Sequence, residues 1–227
     1  MNSSKNGRAF LRLLITALFL FASSASVAAD DECGQSPTVI ESVRVFDGEK
    51  VIPSAHVIIH CEKIAEVIEG GDLPDLPDDA IVLSGAGKTL LPGLFESHGH
   101  TFRRAMLERS LDFGVTSVLD MGSVSADFVR NIKAEDAEGQ ATDRADLFSA
   151  VLWVTAPGSH GTQFGEVATL TDPEDASDFV AARVADGADF IKLIYDNFKM
   201  IDRPIPPLSK ETMFAVVEAA HAQGKIA

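Results

Sequence analysis

Cysteine is scarce in this chain, with two residues, Cys33 and Cys61, among 227. That is too few for a disulfide scaffold, so a stable core must come from apolar packing. Positive charge is also short: 19 Lys and Arg stand against 34 Asp and Glu, a net charge of −15. No basic stripe interrupts this acidic background, which argues against a nucleic-acid partner and against docking on anionic lipid. Long apolar runs are missing too. The longest, Leu13–Ala22, is short for a bilayer core of about 30 Å. What remains is an ordinary globular mix, 46% hydrophobic and 23% charged, and not the composition of a disordered segment. The length fits one or two domains.

The first 29 residues differ from the rest. Lys5, Arg8 and Arg12 precede the apolar run, and Ser26-Val27-Ala28-Ala29 offers small residues for cleavage. This is the order of a secretory signal peptide over residues 1–29. Asp31-Glu32 ahead of Cys33 does not resemble a lipoprotein acceptor site. The expected product is therefore soluble, free of the membrane after cleavage, and secreted or periplasmic. In an oxidising compartment Cys33 and Cys61 either pair or stay as two free thiols, and both readings stand.

Residues 30–88 read as a small β-rich unit. Val39–Phe46, His56–Cys61, Ile64–Ile68 and Ile81–Leu83 are short apolar or β-branched runs separated by turn residues. From Thr89 the rhythm changes. Strands are expected at Leu90–Phe95, Val115–Leu119, Leu147–Val154 and Asp189–Tyr195. Helices are expected at Arg103–Phe113, Ala126–Ala137, from Asp172-Pro173 to Asp186, and from Ser209 to Gly224. Asp172 and Ser209 have N-cap chemistry. Lys225-Ile226-Ala227 looks like the opening of a fifth strand. Alternation of this kind predicts a parallel sheet covered by helices, with strands buried on both faces. A doubly wound sheet and a (β/α)8 barrel both fit the alternation.

His98-Gly99-His100 lies at the end of the first strand of this series. Residues i and i+2 share one face of a strand, so both imidazoles can reach one metal ion. A parallel sheet delivers functional residues at its C-terminal strand ends. Lys192 sits between apolar residues in Phe190-Ile191-Lys192-Leu193-Ile194. A covered strand has no solvated face for it, so it must be paired, neutral or modified. His160, in the loop after the third strand, and Tyr195, at the end of the fourth, are candidates for substrate contact. Asp120, at the end of the second strand, could orient a ligand histidine. His56, His60 and His221 have no convergent partners and read as structural.

The run from Gly85 to His100, with Leu91-Pro92-Gly93-Leu94-Phe95-Glu96-Ser97-His98-Gly99-His100 at its centre, resembles the first-strand signature of the amidohydrolase superfamily. Val43-Arg44-Val45-Phe46-Asp47-Gly48 resembles the opening of the β domain that precedes its barrel. Phe113–Gly122 resembles its second strand, and Gly187–Lys192 its fourth. Glu96 departs from the family, which usually has Asp there. The resemblance implies a (β/α)8 TIM barrel preceded by a small β-rich domain. It implies that His98 and His100 bind a metal ion and that Lys192, carboxylated on its amine, bridges two ions, usually zinc. It implies a hydrolase that cleaves a C–N, amide-type bond through a metal-activated water. Imidazolonepropionase-like and dipeptidase-like members are the nearest in pattern, so the implied partner is a small molecule such as an acyl amino acid or a dipeptide. The family takes two further His ligands and a proton-shuttling Asp from later strands. A whole barrel needs about 250 residues, and about 139 follow Lys88 here. The chain is thus expected to hold about four βα units, residues 89–227, of a barrel truncated at strand five, and to be inactive alone. The rival expectation is a non-catalytic exported half-barrel binding module that assembles with another subunit or a second copy of itself.

Overall fold

The computed structural model describes residues 34–122, 125–138, 142–202 and 204–227. The leader expected over 1–29, and Cys33, lie outside these residues. The described chain divides into two compact units, which meet in sequence at Leu90 and Leu91.

The first unit is a five-stranded mixed sheet built from β1 (Thr38–Phe46), β2 (Val51–His60), β3 (Lys63–Glu69), β4 (Ile81–Ser84) and β5 (Thr89–Leu90). The order is β3-β2-β1-β4, and β5 also pairs with β1. β1 and β2 run antiparallel with Val39 opposite Ile58, whereas β4 and β5 run parallel to β1. The core is one face of the central strands: Val43, Val45, Ile52, Ala55 and Val57. The β2–β3 connection turns at Cys61 and Glu62, both left-handed at φ 50° and 65°. Cys61 is disulfide-bonded.

The second unit, from Leu91 onward, alternates strand and helix. It holds β6 (Leu94–Gly99), α1 (Arg104–Asp112), β7 (Val115–Asp120), α2 (Ala126–Ala137), β8 (Asp146–Ser149), α3 (Ala176–Ala185) and α4 (Lys210–Ala222). β6, β7 and β8 form a parallel sheet in that order. Beyond β8 the ladder continues more loosely. Val154 bridges Leu193 in parallel, Val154 N donates to Lys192 O at 2.7 Å, and Ile191 N donates to Ile226 O at 2.8 Å. Leu107 of α1 and Ile132 of α2 pack on Val118 and Leu147 of the sheet. A larger core joins Val129, Val154, Val180, Ile191 and Val216.

Local chemistry explains most boundaries. Ser125 Oγ accepts from Phe128 N at the start of α2, and Ser209 Oγ accepts from Thr212 N at 2.9 Å at the start of α4. These hydroxyls satisfy amide donors that the first helical turn leaves open. Four expectations need correction. Leu90–Phe95 is not one strand: Pro92-Gly93 divides it, because proline donates no ladder bond, and β6 starts at Leu94. Leu147–Val154 shortens to β8. Asp189–Tyr195 is not a strand: it keeps one isolated bridge, Val154 to Leu193, beside backbone bonds to Ser149, Val154 and Ile226. Asp172 makes no side-chain cap; Pro173–Asp175 forms a 3-10 turn and α3 begins at Ala176. Burial also differs. β6 is exposed along most of its length, with Leu94 at 53% and Phe95 at 67%, because within the second unit it pairs on one side alone, with β7.

An ionic cluster ties α1 to α2. Arg104 bonds Glu108, Glu135 and Asp143, and the fully buried Arg144 side chain bonds Glu135 at 3.1 Å and Asp136 at 2.6 Å. The Asp143 carboxyl is held below its ordinary value by the Arg104 hydrogen bond. Burial pushes Glu135 up, but hydrogen bonds from Arg104 and Arg144 outweigh it and hold that carboxyl low. Arg104 is correspondingly raised.

Candidate metal centre

β6 ends by presenting His98 and His100 at the C-terminal side of the sheet, one residue apart. Their ring centroids are 5.7 Å apart and inclined at 67°. Both side chains are exposed. Glu96, the residue that departs from the expected motif, secures the local backbone, since its Oε1 accepts from His98 N at 2.9 Å. His100 Nδ1 lies 3.1 Å from Gly122 O. A carbonyl only accepts, so Nδ1 carries the proton and Nε2 keeps its lone pair outward. That is the tautomer a metal-ligating histidine needs. His100 also stacks on Phe102, with centroids 6.4 Å apart.

Asp120 is fully buried, and it braces the strand ends. Oδ1 accepts from Thr101 N at 2.9 Å and Oδ2 accepts from Ser149 Oγ at 2.5 Å. Ser149 N in turn donates to Asp189 Oδ2 at 2.8 Å, and Lys133 Nζ donates to Asp189 Oδ1 at 2.7 Å. The polar chain Thr101–Asp120–Ser149–Asp189 thus crosses from the end of β6 to the start of the Lys192 segment. The carbonyl of Gly122, two residues past Asp120, meets His100 Nδ1.

Lys192 is half-buried, not sealed. Burial by itself therefore does not demand that its charge be neutralised. No hydrogen bond or ion pair to Nζ is present among the described residues. Its chain neighbours Phe190 and Ile191 are buried.

His160 is half-buried between two rings, Phe164 at 5.8 Å and Phe198 at 4.9 Å between centroids. Its Nδ1 lies 3.1 Å from Gln163 Nε2. Since an amide nitrogen donates, His160 Nδ1 accepts there. Tyr195 is 51% exposed. His60 bonds Gln35 O and His56 receives Ser42 N, structural contacts within the first unit. Sequence reasoning alone misses Gly122, Trp153, Phe164 and Phe198. The available signals were a glycine just after a strand end and a lone tryptophan in the segment before Val154.

Among the described residues no three His, Cys, Asp or Glu side chains gather as a metal-binding group. The donors present still fit a divalent ion in part. The two imidazole rings stand edge to face, 5.7 Å between centroids, and with Nδ1 on the Gly122 carbonyl His100 keeps Nε2 for a ligand. Among those residues no helix is long and apolar enough to cross a membrane.

No protein-family model and no curated protein matches the chain. Solved structures do. A putative prolidase from Bifidobacterium longum aligns at TM-score 0.64 and 21% identity, covering 84% of this chain and 48% of that one. A Xaa-Pro dipeptidase with bound methionine aligns at 0.63 and 22%, covering 84% and 55%. The ochratoxinase of A. niger aligns at 0.63 and 18%, covering 83% and 54%. At these identities the likeness establishes a common fold. The chain spans about half the length of these structures.

Proposed function

We propose that this chain, which has the fold of amidohydrolase-superfamily enzymes, is the N-terminal, metal-gathering part of a hydrolase that cleaves an amide-type C–N bond. The observation that carries the reading is His100. Its Nδ1–H is spent on the Gly122 carbonyl, which aims a free Nε2 beside His98 at a C-terminal strand end. His98 and His100 would hold one ion, and Lys192, carboxylated on Nζ, would join it to a second; zinc suits these donors. When bound, such ions polarise a carbonyl and bring the pKa of water to about 7.

The chain's own residues do the rest. Glu96 fixes the backbone at His98, and Gly122 fixes the ring of His100. The Asp120 clasp holds the ends of β6, β7 and β8 in register, so the donors keep their spacing. His160 and Tyr195 lie on loops after the strand ends, where a small substrate would be contacted. Prolidase and dipeptidase among the similar structures support a dipeptide or an acyl amino acid as the substrate class. The leader-like residues 1–29 and the disulfide at Cys61 support export to a secreted or periplasmic location. The exposed apolar residues of β6 favour a second reading, a binding module that covers this strand with another chain.

Carbon-13 bicarbonate supplied with zinc tests the Lys192 assignment. A carbamate carbon resonance in the wild type that vanishes in Lys192→Ala is expected. A wild type that binds zinc and gives no such resonance contradicts the bridging role.

A further inference from the structure

Trp153, the sole tryptophan, lies between two loops that come from different strand ends. One loop follows β7 and carries Gly122; the other carries His160 and Gly161. A Cβ built on Gly122 would meet Trp153 Cε3 at 2.5 Å, and one built on Gly161 would overlap Trp153 Nε1. Both glycines also have positive φ, 140° and 103°. No other residue suits either position, by conformation and by space. The two loops therefore close on the two ends of one indole.

One loop holds a candidate functional histidine from the neighbouring strand end, and the other carries one itself. Gly122 O receives His100 Nδ1–H. Gly161 directly follows His160, whose backbone O accepts from Thr155 Oγ1 at 2.8 Å. Phe164 touches both the indole, at 6.1 Å between centroids, and the His160 ring, at 5.8 Å. The indole Nε1–H is buried without an acceptor among the described residues, so shape holds the ring there.

We infer that Trp153 is a positioning residue: by filling the space between Gly122 and Gly161 it fixes the His100 imidazole and the His160 loop as one unit. A glycine at positive φ has broad backbone freedom, and packing alone sets where its carbonyl points. Turning that carbonyl away breaks the bond that selects the His100 tautomer. The purpose of this coupling rests on the metal-site reading above; its geometry does not.

The test is made on metal-free protein by long-range nitrogen-15 NMR of the neutral histidine rings, in the wild type, Trp153→Phe and Trp153→Ala. In the wild type His100 should be a single Nδ1–H tautomer. In Trp153→Ala both tautomers should appear in comparable amounts, the shift imposed on His160 by the Phe198 ring should collapse with it, and Trp153→Phe should restore part of each. A folded Trp153→Ala that keeps both signatures overturns the inference. Should that variant not fold, His100→Ala and His160→Ala are read through the fluorescence of Trp153 itself. A shifted emission maximum in each is expected, and unchanged emission in both overturns the inference. Zinc titration separates the two ideas. A wild type that binds no zinc yet shows the coupled tautomer change sinks the metal reading alone. With zinc bound, Trp153→Ala should weaken it by about tenfold or more.

Discussion

Asp120 and Ser149 are joined by a 2.5 Å hydrogen bond at the ends of two adjacent parallel strands, and neither residue is exposed. The second oxygen of Asp120 holds Thr101 N, just past His100. Asp120→Ala would strand a buried hydroxyl and a buried amide together. A loss of about 3 kcal/mol is expected, read by urea unfolding. Ser149→Ala should also destabilise, since it leaves Asp120 Oδ2 and the buried Val151 N, which donates to Ser149 Oγ at 2.9 Å, without that partner. Equal, negligible costs for both would mean that the strand ends are held by apolar packing instead.

Arg144 is a buried cation with four hydrogen-bonded acceptors: Glu135, Asp136, and the carbonyls of Ala145 and Ile132. Removing the buried guanidinium leaves two half-buried carboxylates and two backbone carbonyls without it. Arg144→Met should therefore destabilise by about 3 kcal/mol, and Arg144→Lys should recover only part, because an ammonium cannot span this fork. Thermal unfolding of the three proteins decides it. An Arg144→Met variant as stable as the wild type contradicts the account.

The same cluster sets an acid limit. Glu135 and Asp143 have folded-state values below their ordinary ones, 4.5 and 3.8. A depressed carboxylate contributes stability that is present above its unfolded value and is lost as pH falls through the folded one. Arg104 stays charged throughout. Stability measured from pH 6 downward should thus hold until about pH 4.5 and then fall. In Arg104→Gln the dependence should flatten, since the Arg104 hydrogen bonds that depress both carboxyls are removed. An unchanged pH profile in that variant argues against the cluster as the cause.

Cys61 closes a disulfide at a turn where φ is 50°. Cys61→Ser should lower the stability of the oxidised protein by about 3 kcal/mol. Reduction should lower the wild type to the level of the variant and leave the variant unchanged. A wild type indifferent to reductant would contradict a structural bridge.

These particulars show what a sequence makes legible. Ala126–Ala137 was readable to the residue because its signals are local: a serine cap and an apolar stripe. The second helix capped by serine, from Ser209, was readable for the same reason. Strand periodicity suggests that His98 and His100 share a face, and their ring centroids stand 5.7 Å apart. Other features depend on partners distant in sequence. Pro92-Gly93 breaks a run whose hydrophobicity alone suggests one strand. Lys192 looks sealed when its strand is assumed to be covered on both faces, and the structure leaves it half-buried. Gly122 and Trp153 stand about thirty positions apart, and nothing in either sequence neighbourhood announces that the indole occupies the glycine's missing side chain. Asp120 was recognised as an acid at a strand end, but its partners, Thr101 N and Ser149 Oγ, are set by register.

The central claim is that His98 and His100 gather a metal ion. The most direct measurement is zinc content after equilibrium dialysis of the purified chain, wild type beside His98→Ala/His100→Ala, with folding of both confirmed by circular dichroism. The account predicts zinc bound to the wild type, removed by chelator and absent from the double variant. Equal zinc in both proteins, or a folded wild type that takes none, would contradict it.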